Sequence, residues 1–283
     1  MRSFKLLMAM LLMGISGPAA TQLVPSPAMQ MWRLDCGDFV MKRYGAWFSD
    51  TFQYPAGSKK LVASCYLIRH GNDYMLWDLG LDAGLIANPI DNAEQSMSLK
   101  RTIVDQLAAV GIKPEQIGTI GISHDHADHT GQAARFTNAK LLIGKGDWDH
   151  LKAAAGGDDF LKMAQGHLAH WLSGAGKSEA VVGDKDVFGD GSVIMLALPG
   201  HTPGHSALLV RLKSGPVLLS GDQYHFTEQV KNRGVPAFNV DRADTLASHD
   251  RFERIAANVK AKVVIQHEPA DIAKLPAFPN AAQ

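Results

Sequence analysis

Residues 123–131 read Ser-His-Asp-His-Ala-Asp-His-Thr-Gly, so three of the chain's 12 histidines and two aspartates fall within nine positions. Imidazole nitrogens and carboxylate oxygens are the donors that zinc and similar divalent ions take. On extended backbone leaving a strand, His124 and His126 point the same way, because side chains repeat with period two. A turn after them can send Asp128 and His129 toward a second point nearby. One segment can thus supply parts of two metal positions. The chemistry of such a pair is hydrolysis, since the ions polarise a carbonyl or phosphoryl oxygen and acidify water. A polar loop whose histidines merely cap a helix would not need donors at H-x-H-x-D-H spacing.

The ligands missing from this segment should stand at other strand ends. His201 follows a strand at 193–198 in Pro-Gly-His-Thr-Pro-Gly-His. Asp222 follows 217–219 in Leu-Ser-Gly-Asp, and His267 follows 263–265 in Ile-Gln-His-Glu-Pro. Each strand hands one coordinating side chain to a common rim.

Hydrophobic periodicity outlines the elements that must do this positioning. Residues 29–36 read as a first strand, and 61–69 with 74–77 as a hairpin turned by Gly71-Asn72-Asp73. The stretch 43–60 is an irregular polar and aromatic connection, and 82–98 a long surface loop. Residues 99–110 read as a helix stopped by Gly111 and Pro114, and 117–122 as the strand that delivers the histidine-rich segment. A helical turn at 132–136, a strand at 139–143 and a mostly helical stretch at 147–171 follow. Strands at 193–198, 206–212 and 217–219 precede a loop at 227–239, a helix at 245–259 and a last strand at 263–265. Strands in antiparallel groups, with helices between and after them, predict an α+β fold of two packed sheets with helices outside. Neither a repeat nor a linker divides the chain, so residues 21–283 are expected to form one domain.

Composition narrows the partners. The 283 residues are 46% hydrophobic and 20% charged, ordinary for a soluble protein with a substantial core. Basic and acidic residues balance at 28 each, which offers a nucleic-acid backbone no attractive field and argues against such a partner. There is no glycine-rich phosphate loop and no haem or iron–sulfur cysteine spacing. Arg2 and Lys5, the apolar run 6–13 and the small residues of 14–20 have the layout of a secretory signal peptide, too short to anchor in a bilayer. Removal of residues 1–20 would leave a net charge of −2 and a chain in the periplasm or outside the cell, without stable membrane insertion. An uncleaved N-terminal anchor is the alternative. In an oxidising compartment Cys36 and Cys65 can pair or stay as buried thiols, and both outcomes are open.

H-D-H-A-D-H-T-G and P-G-H-T-P-G-H resemble the signatures of the metallo-beta-lactamase superfamily. The successive intervals of 72, 21 and 45 residues between His129, His201, Asp222 and His267 are similar to those of its N-acyl-homoserine-lactone lactonases. The resemblance covers residues 33–276 and implies an αββα sandwich. It implies His124, His126 and His201 on one metal, Asp128, His129 and His267 on a second, and Asp222 bridging them. It further implies a hydrolase with two divalent ions, zinc by default, although cobalt, manganese or iron suit the same donors. Such an enzyme opens the ring of N-acyl homoserine lactones by attack of a hydroxide shared between the ions, with Asp128 relaying a proton.

Departures from that pattern matter too. Lactonases carry a tyrosine three residues beyond the bridging aspartate; here that position is His225, with Tyr224 one residue earlier, so both are candidates for contacting the substrate oxygen. Phosphotriesterases and aryl esterases of the superfamily share the ligand set and are the alternative activities. The position of Asp222, and cysteines remote from every ligand motif, argue against a beta-lactamase. His205 is expected to orient a ligand or loop, His167 and His170 to pack or face solvent, and Ser123 and Ser220 to hold backbone. Asp78 is expected to support the site from behind or to form a turn. Trp47, Phe48, Phe52, Tyr54, Leu85, Ile86, Ile90 and Phe238 are the candidate wall for a small-molecule lactone or ester with an apolar chain. The early aromatics could instead pack internally or meet a second subunit, which makes a homodimer the candidate assembly.

Overall fold

The computed structural model describes residues 27–153 and 159–283. The predicted signal peptide and part of the predicted helical stretch 147–171 lie outside them.

In strand β2 (Lys59–His70), Tyr66 and Ile68 belong to one buried cluster while Cys65 and Leu67 belong to another. A strand buried on both faces needs a packed layer on each side. Tyr66 and Ile68 meet Val193, Met195, Leu208 and Val210 of a second sheet. Cys65 and Leu67 pack with Ile103, Leu107, Leu161 and Trp171 from helical segments. On the far side of the second sheet, Leu196, Leu209 and Leu218 cover Phe252 of a long helix. The order of layers is helix, sheet, sheet, helix, the αββα sandwich.

Among the described residues the larger sheet runs β4-β5-β1-β2-β3-β6-β7-β8, from β1 (Met29–Met41), β2, β3 (Asp73–Trp77), β4 (Ile90–Asp91), β5 (Gln95–Ser98), β6 (Ile117–Gly121), β7 (Lys140–Gly144) and β8 (Ser178–Val181). Its first five strands pair antiparallel and β3, β6, β7 and β8 pair parallel. The smaller sheet runs β13-β12-β11-β10-β9, from β9 (Lys185–Asp186), β10 (Val193–Ala197), β11 (Ser206–Leu212), β12 (Gly215–Leu219) and β13 (Lys262–Val264). The helices are α1 (Tyr44–Trp47), α2 (Ile103–Ala109), α3 (Ala127–Thr130), α4 (Lys145–Ala153), α5 (Asp159–His167), α6 (Ala169–Leu172), α7 (Thr227–Asn232), α8 (Arg242–Val259) and α9 (Pro269–Ile272). Among the described residues no helix is long and apolar enough to cross a membrane.

Several boundaries differ from expectation. Strand β1 continues to Met41, and the predicted loop 82–98 contains β4 and β5, with β5 hydrogen-bonded to the extension of β1. Helix α2 begins at Ile103 because Thr102 caps it: Thr102 Oγ1 accepts the Asp105 N–H while the Asp105 carboxylate accepts the Thr102 N–H. The predicted loop 227–239 opens with α7, and the irregular connection 43–60 contains α1. Strands β8 and β9 extend the two sheets at positions with no strand-like pattern in the sequence. Cys36 and Cys65 are joined in a disulfide, with Cα atoms 5.9 Å apart across the β1–β2 pair where β1 carries a bulge.

Candidate metal centre

Five strands deliver side chains from their C-terminal ends to one rim. Strand β3 leads into Asp78, β6 into the segment from His124 to His129, β10 into His201, β12 into Asp222 and β13 into His267. The loop carrying His201 lies tight against β7 and α4. A Cβ on Gly144 would stand 1.9 Å from the Gly204 carbonyl oxygen, so only glycine permits this approach. Asp147, wholly buried at the start of α4, accepts hydrogen bonds from Thr202 Oγ1 at 2.8 Å and from the Gly204 N–H at 2.6 Å. It fixes the loop that carries His201, and its carboxyl is pushed well above the usual range by burial and the nearby Asp125.

All seven predicted ligands meet there. Donor atoms of His124, His126, His201 and Asp222 form one group, and those of Asp128, His129 and His267 a second. Asp222 belongs to both by geometry. Its Oδ2 lies 3.3 Å from His201 Nε2 and 3.6 Å from His124 Nε2, while its Oδ1 lies 2.9 Å from His267 Nε2 and 3.2 Å from His129 Nε2.

The reverse sides of the imidazoles are held. The Nδ1–H of His129 donates to Asp78 Oδ2 at 3.0 Å, that of His201 to Asn239 Oδ1 at 2.9 Å and that of His267 to the Val62 carbonyl at 2.6 Å. Each bond leaves Nε2 facing the cluster, the usual device for orienting a metal-binding imidazole. Asp78, in a left-handed backbone conformation, thus both turns the chain and supports the site. Its carboxylate also accepts the Ser123 N–H and the Gln266 side-chain amide. His205 spends both nitrogens elsewhere: Nδ1–H donates to the Leu198 carbonyl and Nε2 accepts the Asp222 N–H, each at 2.9 Å. His167 lies 3.0 Å from Thr130 Oγ1, packing α5 on α3, and His170 sits edge-on to Trp171.

The donor set fits a pair of divalent cations. Imidazole nitrogens face each other at 3.1 Å (His129 and His267) and at 3.2 Å (His201 with His124 and with His126). Ligand atoms of one tetrahedral zinc with Zn–N bonds of 2.0–2.1 Å stand about 3.3 Å apart. Asp222 Oδ1 is buried and lacks any partner in hydrogen-bond geometry, although two imidazole nitrogens crowd it. That orphaned oxygen is explained by a cation. The electrostatics agree. Burial, with neighbouring histidines, holds His124 and His126 well below the ordinary imidazole range, the neutral state a ligand needs. Burial opposes charge on His129 too, yet Asp222, Asp78 and Asp128 outweigh it and raise that imidazole well above its usual range. Burial would also raise the Asp222 carboxyl, but His267, His129, His225 and His124 hold it well below the carboxylate range. The carboxylates demand positive charge at this point.

A cavity of about 710 Å³ opens over the cluster. Of the predicted wall, Trp47, Phe48 and Phe238 line it; Phe39, Met41, Leu61, Met97, Phe160 and Leu161 complete it. Phe52 is 90% exposed, and Tyr54 packs on Tyr44 and Phe226 with its hydroxyl on Asn232. Leu85 and Ile90 pack partly buried against the main core instead, and Ile86 stays exposed. The expectation that Tyr224 contacts substrate is corrected: its hydroxyl donates to Glu253 Oε1 at 2.5 Å, its ring stacks on His249, and it sits in the core beneath α8. His225 does line the cavity, its Nε2 3.0 Å from Asp222 Oδ2. Asn239, Gln266 and Asp147, which orient the site, had no local signal that could have singled them out.

Fold and donor set define a metal-dependent hydrolase of the αββα type. The chain belongs to the metallo-beta-lactamase superfamily, whose family description matches residues 59–267. It is 32% identical to the N-acyl homoserine lactonase AttM of Rhizobium radiobacter over 182 residues, 62% of this chain and 68% of that one. It is 30% identical to an N-acyl homoserine lactonase of Bacillus cereus over 225 residues, 76% of this chain and 84% of that one. Its fold is similar to a solved N-acyl homoserine lactone hydrolase with N-hexanoyl-L-homoserine at the catalytic metal centre (TM-score 0.75, 20% identity, 90% of this chain and 99% of that one).

Proposed function

We propose that this chain opens the lactone ring of N-acyl homoserine lactones, using two divalent ions, by default zinc. The carrying observation is the carboxylate of Asp222 shared between two ligand groups at the floor of an apolar cavity. His124, His126 and His201 would hold one ion, Asp128, His129 and His267 the other, and Asp222 both. When bound, the ions supply Lewis acidity at the lactone carbonyl and acidify water at neutral pH.

The protein's own groups do the rest. Aromatic and aliphatic side chains on one wall accept an acyl chain and exclude water from the polar floor. Asp128, with Oδ2 3.6 Å from the Nε2 atoms of both His129 and His267, also lines the cavity, so its carboxylate can take the proton released by water and return it to the leaving alkoxide. No serine or cysteine nucleophile is needed, and the product is the ring-opened acid. The similarity to two lactonases at 30% identity or more supports this substrate class over a phosphotriester.

The predicted leader and the Cys36–Cys65 disulfide support export to the periplasm or beyond the cell. The exposed Phe52 and Trp47 on the early connection support pairing with a second copy.

The test is parallel turnover of long- and short-chain acyl-homoserine lactones, an aryl phosphotriester and a cephalosporin by metal-replete protein. Lactone kcat/KM is expected to exceed the others. Equal or lower lactone efficiency would overturn the proposal.

A further inference from the structure

Polar side chains around the cavity are mostly partnered within the protein: Glu94 accepts from Arg43 and Trp47, and Asp125 pairs with His150 at 2.7 Å. Gln95 differs. It lines the cavity half-buried, yet its side-chain amide has no hydrogen-bond partner among the described residues. Its position follows from strand register. In the β1–β5 pair Met97 lies opposite Phe39 and Gln95 opposite Met41, and all four line the cavity. The Phe39 ring meets the His267 ring edge-on with centroids 5.6 Å apart, so the Phe39–Met97 rung adjoins the metal floor. Gln95 and Met41 form the next cavity-facing rung, two residues and about 6.8 Å further along the strands. A donor and an acceptor thus stand unfilled beside Phe39, Met41 and Met97, one rung out from the floor.

We infer that the acyl chain runs along this β1–β5 wall and that Gln95 recognises an oxygen on its third carbon, a ketone or a hydroxyl. The inference rests on the lactone-opening activity proposed above and narrows its substrate class. Distance selects the carbon. From the lactone carbonyl carbon, one C–C bond, a trans amide spanning about 3.8 Å and another C–C bond lead to carbon 3, about 6 Å away when extended. With the carbonyl carbon over the floor beside Phe39, that length reaches the Gln95 rung. Chemistry selects the group. A carboxamide offers both N–H and C=O, so it donates to a ketone and either donates to a hydroxyl or accepts from it. Against Met41 and Met97 alone the same oxygen would lose its water with nothing in exchange. The contact is equal before and during ring opening, so it lowers KM and leaves kcat unchanged.

The experiment compares decanoyl homoserine lactones carrying a ketone or a hydroxyl at carbon 3 with isomers of the same polarity carrying it at carbon 6. Each rate is divided by that of alkaline hydrolysis. Metal-replete wild type should favour both carbon-3 isomers about three- to tenfold in kcat/KM, through KM. Gln95→Met, close in shape but without the amide, should abolish both preferences. Gln95→Glu offers only an acceptor, so it should keep the preference for the 3-hydroxyl and lose that for the 3-ketone. This split decides the matter should Gln95→Met fail to fold. Equal use of the isomers by wild type overturns the inference and leaves the lactonase proposal standing. A 3-ketone preference that survives Gln95→Met or Gln95→Glu overturns it as well. Failure to open any of these lactones overturns both.

Discussion

Asp78 stands directly behind His129. Its Oδ2 accepts the His129 Nδ1–H at 3.0 Å, and its other oxygen accepts the Ser123 N–H at 2.7 Å, so one carboxylate ties strand β3 to the turn bearing the metal-binding histidines. Both residues are buried, and water cannot replace the bond. Asp78→Ala should therefore weaken metal binding about ten- to hundredfold. Competition against a chromophoric chelator measures this, and an unchanged affinity would refute the orienting role.

Asp222 offers one oxygen to each ligand group, so its loss should be felt by both positions. Asp222→Ala is expected to lower kcat/KM about a thousandfold or more, several kcal/mol of transition-state stabilisation. Metal content should fall below two per chain. Near-normal turnover with two bound ions would contradict the bridging role.

The site was legible where chemistry is local and illegible where it is not. H-x-H-x-D-H marked its own function, and His201, Asp222 and His267 each followed an apolar strand that announced itself. The choice between Tyr224 and His225 could not be made locally, because the backbone turn at Gly221–Gln223 decides which of two adjacent side chains enters the cavity. Strand β5 escaped notice because only Met97 of Gln-Ser-Met-Ser is buried, and the strand exists through pairing with distant β1. The Cys36–Cys65 bond depends on a bulge between Asp35 and Asp38 that shifts the register, a feature no spacing reveals. Helix α8 announced its body through apolar periodicity, yet its start depends on Asp241, whose side chain accepts the Asp244 N–H.

Metal uptake should release protons. Against burial, Asp222, Asp78 and Asp128 hold His129 well above the usual imidazole range, and Asp222 raises His267, so both imidazoles keep their protons to higher pH than a free imidazole does. A bound cation must displace them. Apparent affinity should rise with pH until the raised pKa values are passed, then level off, and fall as acid protonates the same nitrogens. Calorimetric titration in two buffers of different ionisation enthalpy measures the release. Heats that do not depend on the buffer would show that these imidazoles are already neutral.

The disulfide closes a segment of 29 residues between β1 and β2. On loop-entropy grounds its removal costs about 3–4 kcal/mol, chiefly by freeing the unfolded chain. For a chain of this size that corresponds to a fall in Tm of roughly 10 °C. The bond also packs against the turn after β3: a Cβ on Gly80 would stand 2.4 Å from Cys36 Cβ, and the Gly80 carbonyl accepts the Gly131 N–H at 2.8 Å. Paired Cys36→Ala and Cys65→Ala substitutions should therefore lower Tm in metal-replete protein while each ligand remains present. Scanning calorimetry of wild type and double variant, both metal-loaded and under non-reducing conditions, makes the comparison. Coincident transitions would mean that the β1–β2 pairing and its surrounding core hold this region unaided.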